Sequence, residues 1–227
     1  MMNIAIDGPA GAGKSTAAKA AAKRFGIIYV DTGALYRATG LYMLRCGADP
    51  GDPDEVLPLL NEVHITLKFE DGAQHIYLNG EDVSTEIRLP EASSASSAVS
   101  ALPEVREFLL DLQRDIAKKN DCIMDGRDIG TVVLPDAQVK IFVTATAEIR
   151  AKRRYDEYIG KGMEADYDEI LEAIKQRDYN DSHRAVAPLR QADDAVYLDT
   201  TEMNAEQEAD AVCDIILARF PERMQWT

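Results

Sequence analysis

Gly8-Pro9-Ala10-Gly11-Ala12-Gly13-Lys14-Ser15 sets Gly8 and Gly13 with four residues between them and follows the second with a lysine and a hydroxyl residue. This is the complete G-x-x-x-x-G-K-[ST] pattern of a phosphate-binding loop. Its glycines let the backbone curl until successive N–H groups face phosphate oxygens, and the start of a following helix adds partial positive charge. Lys14 is placed to reach β- and γ-phosphates. The hydroxyl of Ser15 or Thr16 is placed to help hold Mg²⁺, which prefers hard oxygen ligands and retains waters. Asp125, which closes the apolar run Cys122-Ile123-Met124, is a further candidate to approach that metal.

The second chemistry-bearing feature is a set of arginines. Arg150-Ala151-Lys152-Arg153-Arg154 concentrates positive charge, and Arg177, Arg184 and Arg190 follow in a segment that also holds Asp178 and Asp181. Two readings stand: a solvated helix face, or a mobile cationic flap that closes over transferring phosphate. A phosphate loop alone does not choose between a GTPase switch, an ATP-driven motor and a kinase. No Asn-Lys-x-Asp guanine-reading string is present, which counts against the switch. No G-x-S-x-G nucleophile motif is present, and His64, His75 and His183 have no metal-ligand spacing, so surface roles are expected for all three.

These residues need elements to position them. Ile4-Ala5-Ile6 reads as a buried strand before the loop, and Lys14 to Arg24 as a helix stopped by Gly26. A strand over 27–30 and a helix from Gly33 towards Arg45 follow, so strands alternate with helices and a parallel sheet is expected. Between His64 and Val83 the period changes to strict alternation, with Asp71-Gly72 and Asn79-Gly80 as turn dipeptides, which predicts a small antiparallel meander. The Ser and Ala stretch 92–101 reads on composition as a flexible connector.

Pro103 then opens a helix whose core stripe is expected to be Val105, Phe108, Leu109, Leu112 and Ile116, with Arg106 beside it. Buried strands are expected at 122–124 and 139–143, helices at 147–158 and 166–180, and a strand at 196–198. A last helix opens at Asn204 with Gln207 three residues on, and its stripe is Ala209, Val212, Cys213, Ile216 and Phe220.

Composition narrows the function classes. At 227 residues the chain fits one large domain or one domain with an insert. Its 46% hydrophobic and 29% charged residues match a folded globular protein. Setting 25 Lys and Arg against 40 Asp and Glu leaves −15, which would repel nucleic acid or an anionic membrane over most of the surface. Any anionic substrate must meet a local basic cluster. No run approaches the ~18 apolar residues of a membrane span, and the amino terminus reaches Asp7 too soon for a secretory segment, so a cytoplasmic protein is expected. Cys46, Cys122 and Cys213 lie far apart and are expected to be buried free thiols.

Asp31-Thr32-Gly33-Ala34-Leu35-Tyr36-Arg37, Asp125-Gly126-Arg127-Asp128-Ile129-Gly130-Thr131 and Arg184-Ala185-Val186-Ala187-Pro188-Leu189 resemble the bacterial cytidylate kinases over the whole chain, in that family's order around the phosphate loop. The resemblance implies an α/β fold of the P-loop NTPase type, with a parallel sheet flanked by helices, a small antiparallel insert and a mobile lid. It divides the chain into a kinase core of 1–62 and 103–227, a lid around 150–185, and an inserted subdomain of 63–102 that closes over the nucleoside monophosphate. The implied reaction is Mg²⁺-dependent transfer of the ATP γ-phosphoryl group to CMP or dCMP.

The implied roles fall on matching positions. Gly8, Pro9, Ala10, Gly11, Ala12, Gly13, Lys14, Ser15 and Thr16 hold ATP, with Ser15 (or Thr16) on the metal. Arg37, Arg127 and Arg184 grip the acceptor phosphate, with Thr32 in the same substrate-binding set. Tyr36, Arg177 and Asp181 lie along the sugar, and Ser97, Arg106 and Asp128 read the base. Arg153 and Arg154, ahead of Arg150, are the expected lid arginines. Lys14, Arg127, Arg153, Arg154 and Arg184 form the expected catalytic set. The partners are small molecules, the expected state is a monomer, and neither nucleic acid nor membrane is expected. Independently of the family, a carboxylate at Asp128 accepts from the exocyclic amine of cytosine but faces the O4 acceptor of uracil.

Overall fold

The computed structural model describes residues 1–70 and 73–222. They divide into two compact units, one of Met1 with Ile28–Cys122 and one of Met2–Ile27 with the chain from Ile123 onward.

The second unit is the α/β part. β1 (Asn3–Asp7) leads through the glycine loop into α1 (Lys14–Phe25), which ends on Gly26 at φ 62°. After β6 (Cys122–Gly126) comes a five-residue π-type turn, Ile129–Val133, then β7 (Val139–Thr144). The antiparallel pair α6 (Ala147–Gly160) and α7 (Tyr167–His183), β8 (Val196–Asp199) and α8 (Ala205–Arg219) complete it. The strand order is β6-β1-β7-β8, and the β1–β7 and β7–β8 pairs are parallel, Ile6 opposite Ile141 and Val143 opposite Leu198. Ile4, Ile6, Ile123, Met124 and Ile141 are almost fully buried, as expected for strands covered on both faces. Asn204 and Gln207 form the capping box of α8.

The first unit holds β2 (Ile28–Asp31), α2 (Thr32–Arg45), α3 (Pro53–Leu60), the antiparallel sheet β3 (Ile65–Glu70), β4 (Ala73–Leu78) and β5 (Glu81–Asp82), a 3₁₀ turn Glu86–Arg88, α4 (Pro90–Val99) and α5 (Pro103–Lys119). The β4–β5 turn is as expected, with Asn79 and Gly80 at φ 50° and 87°. The Asp71-Gly72 turn lies outside the described residues. Ile76, Leu78 and Val83 share one apolar core with Leu35 and Met43 of α2, Val56 of α3 and Leu109 of α5. The region 63–102 therefore packs as part of this unit.

Three expectations are corrected here. The Ser and Ala stretch is no connector: Pro90 starts a helix, and Ala92, Ala95, Ser96 and Val99 recur at i, i+3, i+4 and i+7 to form its buried face. Small side chains let this helix lie directly on α2, where a Cβ at Gly40 would stand 2.8 Å from that of Ala95. Phe108 is 38% exposed, because the buried face of α5 is turned towards Arg106 and Gln113. Cys46, unlike Cys122 and Cys213, is exposed. Helix α3 is opened by Pro53 and capped by Asp52.

Candidate active site

The glycine loop joins β1 directly to α1, as its sequence requires. Gly8, Gly11 and Gly13 all have positive φ, and two of them are also needed for space. A Cβ at Gly8 would stand 1.8 Å from the Val143 carbonyl oxygen, and one at Gly13 2.0 Å from Oε2 of Glu208. The loop thus curls against β7 on one side and α8 on the other. Lys14 is buried and donates to the Pro9 carbonyl at 2.7 Å. Burial above all, and then Arg127, pull its ammonium down to about 7, while Asp125 and Asp7 pull the other way. An arriving phosphate would favour the charged form again, so the lysine is poised to gain charge as its ligand binds.

Ser15 donates its hydroxyl to Asp125 Oδ2 at 2.6 Å, which brings together the two oxygen groups singled out from the sequence. Thr16 is exposed at the next position. A hydroxyl and a carboxylate beside a phosphate loop are hard donors suited to Mg²⁺, which takes one or two protein oxygens and completes its shell with phosphate and water. Among the described residues no group of three or more His, Cys, Asp or Glu could hold a metal ion.

A cavity of about 430 Å³ opens over the loop from Gly11 to Thr16, and its far wall carries Arg150, Arg153, Arg154 and Glu208. The expected lid arginines have different surroundings. Arg150 is buried and donates to the Ala145 and Ala10 carbonyls at 2.8 and 3.1 Å and forks onto Asp178. Arg153 donates to the Thr200 and Met203 carbonyls and pairs with Glu208 at 2.7 Å. Arg154 is half-buried on the cavity wall.

The same unit gathers the acceptor-side arginines around one carboxylate. Arg127 Nε donates to Asp181 Oδ2 at 2.9 Å, and Arg184 Nη1 lies 3.9 Å from Oδ1. Burial pushes the Asp181 carboxyl up most, but Arg127, Arg177 and Arg184 together hold it below the usual aspartate value. Asp181 sits on α7 and Arg184 caps that helix, so the segment near the end of α7 that looked like scattered charge is one ionic cluster. Asp128, next to Arg127, is buried.

In the other unit, Asp31 caps α2 by accepting from Ala34 N and pairs with Arg37 at 2.7 Å. Arg37 Nε is buried with no hydrogen-bond partner, which leaves this guanidinium able to donate to a further oxygen. Thr32 is buried at the first position of the same helix. Arg106, also buried, lies over the Tyr36 ring at 5.5 Å and donates to the Ser100 carbonyl, while Ser97 is half-buried on α4. Thr32, Tyr36, Arg37, Ser97 and Arg106 therefore belong to one unit, and Arg127, Asp128, Arg177, Asp181 and Arg184 to the other.

Sequence reasoning missed several supporting groups. Gln74 of β4 accepts from the Asp31 N–H and donates to the Asp31 carbonyl, fastening the antiparallel sheet to the start of α2. Glu208 of the last helix is buried against Gly13. Only Asp7, a carboxylate ending an apolar strand beside the loop, carried a visible signal.

Comparisons with known proteins agree with these motifs. The cytidylate kinase family model matches residues 4–221. A cytidylate kinase from Caldicellulosiruptor bescii is 50% identical over 94% of this chain and 95% of its own length. One from Lactobacillus johnsonii is 50% identical over 95% and 94%, and one from Mycobacterium avium 46% identical over 95% of each. Among solved structures, an uncharacterized protein from Eubacterium ventriosum covers 96% of this chain and all of its own at a TM-score of 0.55 and 14% identity, a likeness of fold alone. With a family match across nearly its full length and relatives this similar over nearly all of theirs, the chain belongs to the cytidylate kinase family.

Proposed function

We propose that this chain transfers the γ-phosphoryl group of ATP to CMP or dCMP, giving ADP and CDP or dCDP. The observation that carries this reading is the joint presence in one unit of a phosphate loop whose Ser15 meets Asp125 and a cluster in which Arg127, Arg177 and Arg184 surround Asp181. The acceptor is already a phosphate oxygen, nucleophilic at neutral pH, so no Ser, His and Asp triad is called for.

Each residue then has a physical task. The loop N–H groups from Gly8 to Thr16 and the Lys14 ammonium hold the donor phosphates and counter charge that spreads in the transition state. Ser15 and Asp125 would hold Mg²⁺, a group that supplies positive charge to the donor phosphates when bound. Arg37, Arg127 and Arg184 fix the acceptor phosphate with paired guanidinium hydrogen bonds, and Thr32, Tyr36, Arg177 and Asp181 orient the nucleoside. Asp128 accepts from the cytosine amine, while Ser97 and Arg106 serve the remaining base edge. Arg154 faces the transferring group from a lid around 150–185, and Arg153, bound to Glu208 and to the Thr200 and Met203 carbonyls, braces the loop beside it. Closure excludes water that would otherwise hydrolyse ATP. The same reading makes the protein a cytoplasmic monomer with small-molecule partners and no nucleic acid, in keeping with its −15 charge. Among the described residues no helix is long and apolar enough to cross a membrane.

The test is ADP release by the purified chain with CMP, dCMP, UMP and AMP. Selective turnover of CMP and dCMP is expected. Equal rates with CMP and AMP would overturn the base-reading assignment.

A further inference from the structure

Asp7 has no role in the reaction above, and its surroundings are unusual for a structural aspartate. It ends β1, immediately before Gly8, and only 5% of it is exposed. Its Oδ1 accepts the Ile129 amide and its Oδ2 the Gly130 amide, each at 2.7 Å, although these residues are 122 and 123 positions away. Those amides open the Ile129–Val133 turn, whose N-cap position is occupied by Asp128.

An aspartate at an N-cap ordinarily turns its own carboxylate onto the first amides of the turn it precedes. Asp128 does not: its side chain makes no capping hydrogen bond. Asp7 supplies the cap instead. The arrangement is costly: burial, with Asp128 adding to it, pushes the Asp7 carboxyl up to about 6 even though the Gly130 and Ile129 amides and Lys14 pull the other way. It also leaves little room for a side chain at 130, where a Cβ would stand 3.3 Å from Asp7 Oδ2 and 3.1 Å from the Lys140 side chain. A turn needing only a cap could have used Asp128 itself.

We propose that Asp7 is a positioning residue for selection of the acceptor base: by capping the 129–133 turn from the strand that begins the phosphate loop, it relieves Asp128 of that task and fixes the peptide presenting it. This rests on the reading of Asp128 as a base-reading group. The hydrogen bonds of the Asp7 carboxylate go to the 129–133 turn, so loosening Asp7 disturbs discrimination between pyrimidines far more than the grip on ATP.

The experiment compares kcat/KM for CMP and UMP, and KM for ATP, in wild type, Asp7→Asn, Asp128→Asn and the double variant, well below their unfolding temperatures. Asn retains one acceptor and turns an N–H donor towards the other amide, so the CMP/UMP ratio is expected to fall about tenfold in Asp7→Asn, with KM for ATP within about twofold. In the Asp128→Asn background the Asp7 change is expected to leave the ratio unmoved. A wild-type ratio in Asp7→Asn, or an equal further fall in the double variant, overturns the role of Asp7 alone. A wild-type ratio in Asp128→Asn overturns the base-reading assignment, and the Asp7 proposal with it. If Asp7→Asn does not fold, Gly130→Ala presses on the same carboxylate without changing charge; a fall of about threefold is expected, and an unmoved ratio overturns the proposal.

Discussion

Helix α6 and the end of α7 carry the same residue type and use it in opposite ways. On α6, Arg150 and Arg153 are bound to protein oxygens: Arg150 braces the loop through the Ala10 carbonyl, and Arg153 holds Glu208, which lies against Gly13. At the end of α7, Arg127, Arg177 and Arg184 instead converge on the single carboxylate of Asp181. The first arrangement shapes a cradle, and the second concentrates positive charge in an otherwise acidic protein. Arginine density in a sequence therefore does not say which guanidiniums are spent on scaffold and which are held ready for an anion.

The contrast is sharpest where the cradle itself is disabled. Lys14→Ala is expected to lower turnover by about 10³-fold, because the only ammonium buried in the loop is lost. Denaturation should show a fold at least as stable as wild type, since a buried ammonium is a cost in the absence of phosphate. Turnover within tenfold of wild type would remove Lys14 from the charge role.

Next, Arg153→Ala and Arg154→Ala separate bracing from catalysis. Arg153→Ala leaves buried Glu208 with Thr200 but no ion-pair partner and is expected to cost about 1–3 kcal/mol in urea unfolding. Arg154→Ala should leave stability within about 0.5 kcal/mol while lowering kcat about 10²-fold. The reverse pattern would exchange their roles and break the comparison.

The smallest expected effect is a pH dependence. Burial raises the Asp7 carboxyl from 3.8 to about 6, so between those values the folded chain binds a proton that the unfolded chain has released. Stability contributed by this group is full below about 3.8 and is lost as the pH rises through 6, amounting to roughly 2–3 kcal/mol. Other carboxylates, Asp181 among them, are held low and act in the opposite direction. The difference between wild type and Asp7→Asn isolates the Asp7 contribution, and identical pH slopes between 4 and 6 would contradict the raised carboxyl.

Much of this molecule is set by local chemistry. The glycine spacing dictates a curled loop because only glycine accepts positive φ without strain and a Cβ would strike Val143 or Glu208. The strand, loop and helix order, the Asn79-Gly80 turn and the Asn204 capping box follow from equally local rules. The Ser and Ala stretch was misread because composition reports flexibility only when no partner is present; packed on α2, small residues at helical spacing make a close interface. Likewise Val105, Leu109 and Ile116 of the expected stripe are buried on α5 but Phe108 is exposed and Arg106 buried, because the tertiary neighbours of the helix turn its inward face towards Arg106 and Gln113.

The sequence by itself determined what chemistry is on offer: a phosphate cradle, a hydroxyl for a metal and arginines in sufficient number for a second anion. Only the tertiary structure decided how those groups are shared out, since a hydrogen bond such as Asp7 to Gly130 or Ser15 to Asp125 joins residues more than a hundred positions apart. Local propensity carries no information about such pairs. They exist because a buried polar group must find a partner, and the fold determines which one is within reach.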